Sequence, residues 1–165
     1  MTEYLSPLDS VIIEKFISGC VGCVGANTEL KIIDMKTGHS LGPNKDGEIC
    51  VRGPFMFVGY LNNESATKSA IDSNGWYHSG DVGHYDENER LFITDRLKEM
   101  IKFKVWSIAP AEIESFLMTH KSIESVAVIG VKHTTDGQYP RAYVKVKSGE
   151  KVTEEELIKY VEGLN

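Results

Sequence analysis

Short apolar segments separated by turn residues characterise the first half of the chain. The runs Glu29–Asp34 and Gly47–Gly53 contain leucine, isoleucine and valine, with glycine and asparagine between the two runs. Such runs, bounded by turn residues, are typical of short strands. The acidic turn Asp86–Glu89 leads into another apolar run, Leu91–Thr94. The pattern therefore predicts a strand-rich lobe that ends near Asp95.

Helical spacing begins further along the chain. Pro110 suits the first turn of a helix, and the apolar residues after it recur at i, i+3 and i+4. These residues are Ile113, Phe116 and Leu117. A second helix is expected after Thr153, because this residue and Glu156 form a capping-box pattern. Its apolar face would consist of Leu157, Ile158, Val161 and Leu164.

Two strands are predicted between these helices. The run Val126–Val131 is short and β-branched, which is typical of a buried strand, whereas Ala142–Lys147 alternates as a half-exposed strand does. The predicted fold class is therefore α+β. A strand-rich lobe, residues 1–95, would be followed by a small α+β lobe, residues 96–165.

The composition narrows the class of protein. The 165 residues are 41% apolar and 25% charged, which is typical of a globular protein, and no apolar run approaches the roughly 20 residues of a membrane span. The formal net charge of -6, with both signs interspersed, disfavours nucleic acid as a partner. Small molecules are the expected partners.

Neither a secretory signal nor a cysteine framework is predicted. The first residues contain no basic or apolar signal region, so the reducing cytosol, or an organelle reached after folding, is the expected location. The three cysteines, Cys20, Cys23 and Cys50, are an odd number without a second close pair. Free thiols are therefore favoured over disulfides or a four-ligand zinc site.

One group of charged residues could hold a nucleotide. Gly80-Asp81 follows an aromatic turn and Asp95-Arg96 follows a strand, so a carboxylate and a guanidinium could both bind a ribose or its phosphate. Lysines at 98, 102 and 104 come next. Taken alone, a Gly-Asp turn is usually only a turn, and such lysines are usually a solvated face.

Four longer motifs resemble successive signature motifs of a known enzyme family. They are Gly47–Pro54 with Gly59–Asn63, Gly75–Asp81, Asp95–Lys102 and Pro110–Glu114. In order and spacing they are similar to the motifs of AMP-forming acyl-CoA synthetases, which belong to the adenylate-forming superfamily. The residues of the chain look closest to those of insect coumarate-CoA-ligase-like and luciferase-like proteins. The resemblance spans essentially the whole chain and suggests a carboxy-terminal part of such an enzyme.

The resemblance implies roles for residues in the first predicted lobe. Thr2 would touch the AMP phosphate, and Glu3 would help to hold Mg²⁺, which prefers carboxylate oxygen. Asp81 would bind the ribose hydroxyls, with Arg96 beside it and Ile93 packed nearby.

Two lysines of the second lobe receive roles in the same way. Lys98 matches the hinge about which the family's lid domain swings, and Lys102 matches a lysine that faces the active site during the second half-reaction. Its charge would stabilise anionic species there.

The implied reaction is an ATP-dependent acid–thiol ligation. A carboxylic acid and MgATP give an acyl-adenylate and pyrophosphate, and coenzyme A then displaces AMP; in luciferases oxygen reacts instead. The expected ligands are therefore ATP or AMP, Mg²⁺, coenzyme A and a carboxylic acid.

Three departures from the family favour an inactive or impaired chain. The Ser/Thr/Gly-rich phosphate loop of the family's upstream region is absent, as is the Gly-Lys segment that ends the family's lid. Val105 stands where the family has glycine beside the thiol path. The upstream region of a full-length protein is thus an expected partner. The alternative is a non-catalytic product that binds a nucleotide or a partner.

Overall fold

A computed structural model describes residues 3, 4, 8, 9, 17 and 19–162, with the backbone only for residues 8 and 9. Its contacts divide the chain into two compact units, Met1–Leu97 and Lys98–Asn165. The predicted boundary between Asp95 and Arg96 lies two residues earlier. Among the described residues, no helix is long and apolar enough to cross a membrane.

The first unit is built on a six-stranded antiparallel sheet with one short helix. Its elements are β1 (Leu8–Asp9), β2 (Cys20–Val24), β3 (Glu29–Ile33), β4 (Gly47–Arg52), α1 (Glu64–Ala70), β5 (Tyr77–Tyr85) and β6 (Arg90–Arg96). The strand order is β1-β2-β6-β5-β4-β3. The predicted strands at Glu29–Asp34, Gly47–Gly53 and Leu91–Thr94 are confirmed as β3, β4 and β6.

The core of this unit lies on one face of the sheet. It consists of Tyr4, Ile32, Ile49, Val51, Tyr77 and Leu91, each at most 5% exposed. Burial of an aliphatic side chain of this size contributes about 1.5–3 kcal/mol. The tyrosines complete the core, and the Tyr4 hydroxyl meets the Thr28 hydroxyl at 3.0 Å. This packing fixes β4, β5 and β6 relative to one another.

Helix α1 was not predicted from the sequence. It contains no buried residue, so its sequence lacks the apolar periodicity of a core-facing helix. Its start is set by Asn63, whose side chain accepts a hydrogen bond from the backbone N–H of Ala66 at 3.0 Å.

The second unit combines a four-stranded antiparallel sheet with two helices. Its elements are β7 (Ile101–Phe103), β8 (Trp106–Ile108), α2 (Pro110–Leu117), β9 (Ile123–His133), β10 (Gly137–Val146) and α3 (Glu154–Val161). The strand order is β8-β7-β10-β9. Leu117 from α2 is buried, as are Ile123 and Val128 from β9. Both predicted helices are confirmed, and α3 starts with the expected capping box. Leu164 of the predicted apolar face lies outside the residues that the structure describes.

The strand predicted at Val126–Val131 is confirmed as part of β9, but the prediction that it is buried is wrong. Val128 is buried, whereas its neighbours Ala127 and Ile129 are exposed. Strand β9 is an edge of the sheet against which α2 packs, and its continuous apolar run does not reflect burial on both faces. Within the predicted strand Ala142–Lys147, Val144 and Val146 of β10 are partly buried and Tyr143 and Lys145 are exposed, so the expected alternation is confirmed there.

Candidate functional site

Adjacent strands bring Asp81 and Arg96 together. Asp81 lies on β5 directly opposite Arg96 on β6. The Arg96 Nε atom lies 3.7 Å from Asp81 Oδ1, which is an ion-pair distance but longer than a hydrogen bond. Gly80 has a φ of 71°, and its carbonyl accepts a hydrogen bond from the Leu97 N–H at 2.7 Å. Gly80 lies within β5, so the turn expected at Gly80-Asp81 is wrong. Its left-handed φ and this hydrogen bond fix the backbone immediately before Asp81.

A shift of the strand register adds Ile93 to the same face. Asp81 pairs with Arg96 and Gly83 pairs with Ile93, with the register shift between Val82 and Gly83. Residues two apart on a strand share a face, so Asp81 and Gly83 do, and their partners lie on that face too. Ile93 is 46% exposed. The structure thus places a carboxylate, a guanidinium and an exposed apolar side chain on one face.

Asp81 is partly withdrawn from water. Its side chain is 29% exposed, whereas that of Arg96 is 61% exposed. Burial raises the pKa of Asp81; Arg96 opposes this effect and Glu3 adds to it. A half-buried carboxylate of this kind can accept hydrogen bonds from the hydroxyl groups of a ligand.

Glu3 is held by two residues of the segment before α1. The Tyr60 hydroxyl donates to Glu3 Oε1 at 3.0 Å, and the Phe57 N–H donates to the Glu3 carbonyl at 2.8 Å. The predicted role of Thr2 falls on a residue outside those that the structure describes.

The two candidate lysines belong to the second unit. Lys98 is exposed and is the first residue of that unit. Lys102 is exposed on β7; its Nζ donates to the Ser107 hydroxyl at 3.1 Å, and its N–H donates to Gln138 Oε1 at 2.9 Å. Val105 lies at the β7–β8 turn and is 70% exposed.

A separate cluster contains Glu48, Cys50 and His78, whose ligand atoms lie within 4.8 Å of one another. His78 Nδ1 is 2.9 Å from Glu48 Oε2 and 3.7 Å from Cys50 Sγ. Burial, aided by Glu48, raises the pKa of Cys50 to about 12. His78 Nδ1 thus lies within contact distance of both Glu48 and Cys50 in one polar cluster. The three cysteines are free, as predicted.

Sequence reasoning gave no role to Tyr60 or Tyr77. Both lie inside motifs that were recognised, Gly59–Asn63 and Gly75–Asp81. In the sequence, a tyrosine next to glycine or tryptophan suggests only a packing role. The residue to which the Tyr60 hydroxyl donates, Glu3, is distant along the chain, so the local sequence does not reveal this contact.

Models of protein families match both ends of the chain, and the two matches agree with each other. Residues 1–61 match the AMP-binding enzyme family, and residues 112–164 match the AMP-binding enzyme C-terminal domain. The chain belongs to the AMP-binding enzyme family. The first match includes β1 to β4 of the six-stranded sheet. The second match includes most of α2 and all of β9, β10 and α3.

Curated relatives of this AMP-binding chain are ligases and luciferases. It is 48% identical over 144 residues to 4-coumarate-CoA ligase 1 of Narcissus pseudonarcissus, covering 87% of this chain and 26% of the relative. It is also 48% identical over 143 residues to luciferin 4-monooxygenase of Nipponoluciola cruciata, with the same coverage. The chain therefore spans about a quarter of the length of the relatives it matches.

Solved structures agree with the sequence comparison. ATP-bound MatB from Rhodopseudomonas palustris matches with a TM-score of 0.81 and 30% identity over 88% of this chain and 29% of that one. O-succinylbenzoate CoA synthetase from Bacillus subtilis, in complex with AMP, matches with a TM-score of 0.74 and 32% identity over 87% and 28%. The fold is that of the carboxy-terminal region of adenylate-forming enzymes.

Proposed function

We propose that this chain forms the ribose-binding and lid portion of an AMP-forming acid–thiol ligase. The observation that carries the proposal is the pairing of Asp81 with Arg96 across β5 and β6, on the face that also presents Ile93. The Asp81 carboxylate accepts the two ribose hydroxyls, because vicinal hydroxyls match its two oxygens. Arg96 supplies donors to the same sugar or phosphate.

The proposed reaction has two half-reactions. An oxygen of the acid's carboxylate attacks the α-phosphorus of ATP, the bond to the β-phosphate oxygen breaks, and pyrophosphate leaves. In the second step the sulfur of coenzyme A attacks the acyl carbon, and the carboxyl–phosphate bond breaks to release AMP. Negative charge accumulates on phosphate oxygens in the first step, so cationic groups provide the main stabilisation.

Glu3 and Thr2 are the proposed contacts to metal and phosphate. A hard cation such as Mg²⁺ prefers oxygen donors, and the Glu3 carboxylate, held by the phenol of Tyr60, fits this preference. Bound Mg²⁺ would neutralise phosphate charge. Thr2 is proposed to donate its hydroxyl to the AMP phosphate.

Lys98 and Lys102 are the proposed lid residues. Support for Lys98 as a hinge comes from the division of contacts between Leu97 and Lys98. Lys102 carries its charge at the end of an exposed side chain on β7, from which it would stabilise anionic species in the thiol step. A cytoplasmic or peroxisomal site of action is part of this proposal.

Ribose binding by Asp81 is tested by pairing Asp81→Asn with a nucleotide that lacks the hydroxyls. Titrations of the whole chain with AMP and with 2′,3′-dideoxy-AMP are followed by calorimetry. We expect Asp81→Asn to weaken AMP binding about ten- to a hundredfold, since hydrogen bonds to a charged group are lost. Binding of the dideoxy nucleotide should be unchanged.

Asp46→Asn is the matched control. Asp46 lies in the same unit and accepts hydrogen bonds from His84 and Thr94, at 2.7 and 3.0 Å, away from the Asp81–Arg96 pair. The Asp46→Asn variant should bind both nucleotides as tightly as the unmodified chain does. The proposal is wrong if Asp81→Asn weakens the binding of both nucleotides equally, or if the unmodified chain does not bind AMP.

A further inference from the structure

The Tyr60 hydroxyl links Glu3 to the aromatic packing of the first unit. Tyr60 donates to Glu3 Oε1 at 3.0 Å, and the Phe57 ring contacts the rings of both Tyr60 and Tyr77. Tyr77 is 5% exposed and belongs to the core cluster. The carboxylate of Glu3 is therefore connected, through Tyr60 and Phe57, to the core of the unit.

Packing fixes the ring of Tyr60 as well as its hydroxyl. The Phe57 ring meets Tyr60 edge-on at 4.9 Å and Tyr77 edge-on at 5.9 Å. The Tyr60 N–H donates to the Thr67 hydroxyl of α1 at 2.9 Å. These contacts leave the ring little freedom to rotate, so the direction of its O–H is set by the fold.

Glu3 is constrained at both its backbone and its side chain by the same short segment. The Phe57 N–H binds the Glu3 carbonyl at 2.8 Å, and three residues later Tyr60 binds the side chain. Glutamate otherwise has several rotatable bonds, whose ordering costs free energy when a ligand binds. A carboxylate that is already oriented binds a cation with a smaller entropic cost.

We propose that Tyr60 is a positioning residue that orients the Glu3 carboxylate toward a nucleotide-bound divalent cation. The proposal rests on the proposed function, which assigns the cation to Glu3. Tyr60 acts through Glu3 and does not itself touch the metal. The Phe57 ring, which also contacts Tyr77 of the core, packs against Tyr60.

The test measures Mn²⁺, which replaces Mg²⁺ and is detected by electron paramagnetic resonance. The whole chain, saturated with ATP, is titrated with Mn²⁺, and AMP binding without metal is measured in parallel. Tyr60→Phe removes only the hydroxyl. We expect it to weaken Mn²⁺ binding about two- to tenfold, since one hydrogen bond that orients the carboxylate is lost while the metal ligand itself remains, and to leave metal-free AMP binding unchanged.

Tyr85→Phe is the matched control, because it removes a hydroxyl that donates to the Leu41 carbonyl at 3.3 Å elsewhere in the same unit. A double-mutant cycle with Glu3→Gln then separates positioning from general stability. If Tyr60 acts through Glu3, Glu3→Gln weakens Mn²⁺ binding and the added Tyr60→Phe causes no further loss.

The outcomes distinguish this inference from the proposed function. If the unmodified chain binds no ATP, both are wrong. If it binds ATP but Tyr60→Phe matches Tyr85→Phe, or the two changes at Glu3 and Tyr60 are additive, positioning by Tyr60 is wrong and the nucleotide site stands. If Glu3→Gln binds Mn²⁺ as tightly as the unmodified chain, Glu3 does not hold the cation and the inference fails.

Discussion

Asp86 stabilises the tight turn between β5 and β6 through both carboxylate oxygens. Oδ1 accepts from the N–H groups of Asn88 and Arg90, at 2.9 and 3.0 Å, and Oδ2 accepts from Arg90 Nε at 2.7 Å. The hydrogen bond from Arg90 is the main cause that lowers the pKa of Asp86 to about 2. The folded state thus favours the ionised carboxylate.

This lowered pKa predicts how stability depends on pH. The stabilisation is complete above the ordinary pKa of 3.8 and is lost as the pH falls through the folded value of about 2. Asp86→Asn should therefore lower the urea midpoint at pH 7, and its difference from the unmodified chain should shrink between pH 4 and pH 2. Glu89→Gln, which changes the charge of the same turn, is the control. A difference that stays constant down to pH 2 would contradict this role.

At the residue scale, the sequence motifs identify which side chains form the candidate site, but not which residues surround them. Asp81 and Arg96 were predicted to converge, and they pair at 3.7 Å. Ile93 shares their face only because the register shifts between Val82 and Gly83, which simple alternation along β6 does not indicate. Contacts of long sequence separation, such as Tyr60 with Glu3, are likewise absent from local patterns.

Helix α3 shows how a local capping signal specifies an element. The Thr153 hydroxyl accepts from the Glu156 N–H at 3.2 Å, and the Glu156 carboxylate accepts from the Thr153 N–H at 2.8 Å. Thr153→Ala removes the first of these bonds and should lower the free energy of unfolding of the second unit by about 1 kcal/mol. Urea unfolding followed by Trp106 fluorescence, in chains that also carry Trp76→Phe so that only the second unit is observed, measures this.

Thr134→Ala provides the comparison for that change. Thr134 is exposed in the turn between β9 and β10, so its loss should have little effect on the midpoint. Faster amide exchange confined to the first turn of α3 is also expected in Thr153→Ala. Identical unfolding curves for the two variants would show that the capping box contributes nothing measurable.

At the element scale, prediction succeeds where local signals agree with tertiary packing. The capping box, the turn at Asp86 and the strands β3 and β4 all carry such signals. Helix α1 was missed because its sequence gives a cap at Asn63 but no apolar stripe. Strand β9 was judged buried because its residues are β-branched, whereas burial is decided by what covers each face of the sheet.

At the scale of the whole molecule, the family motifs predict the fold class better than the pattern of apolar residues does. Residues 112–164 match the C-terminal domain of AMP-binding enzymes. Asp81 and Arg96 belong to the first unit, and Lys102 belongs to the second. The first unit also exposes large apolar side chains before α1, including Val58 and Leu61 at 102% and 90%. Exposed apolar residues of this kind are typical of a surface that other sequence covers.

The residues present in the sequence predict nucleotide binding without turnover by the 165-residue chain alone. Asp81, Arg96 and Lys102 are present, but the sequence contains no Ser/Thr/Gly-rich loop to surround the β- and γ-phosphates. With MgATP, coenzyme A and a panel of fatty and aromatic acids, we expect pyrophosphate release at background. A full-length 4-coumarate-CoA ligase in the same assay shows that each reagent is active. Pyrophosphate release well above background would mean that these two units are sufficient to stabilise the transferring phosphate, and the assignment of that role to a separate loop would be wrong.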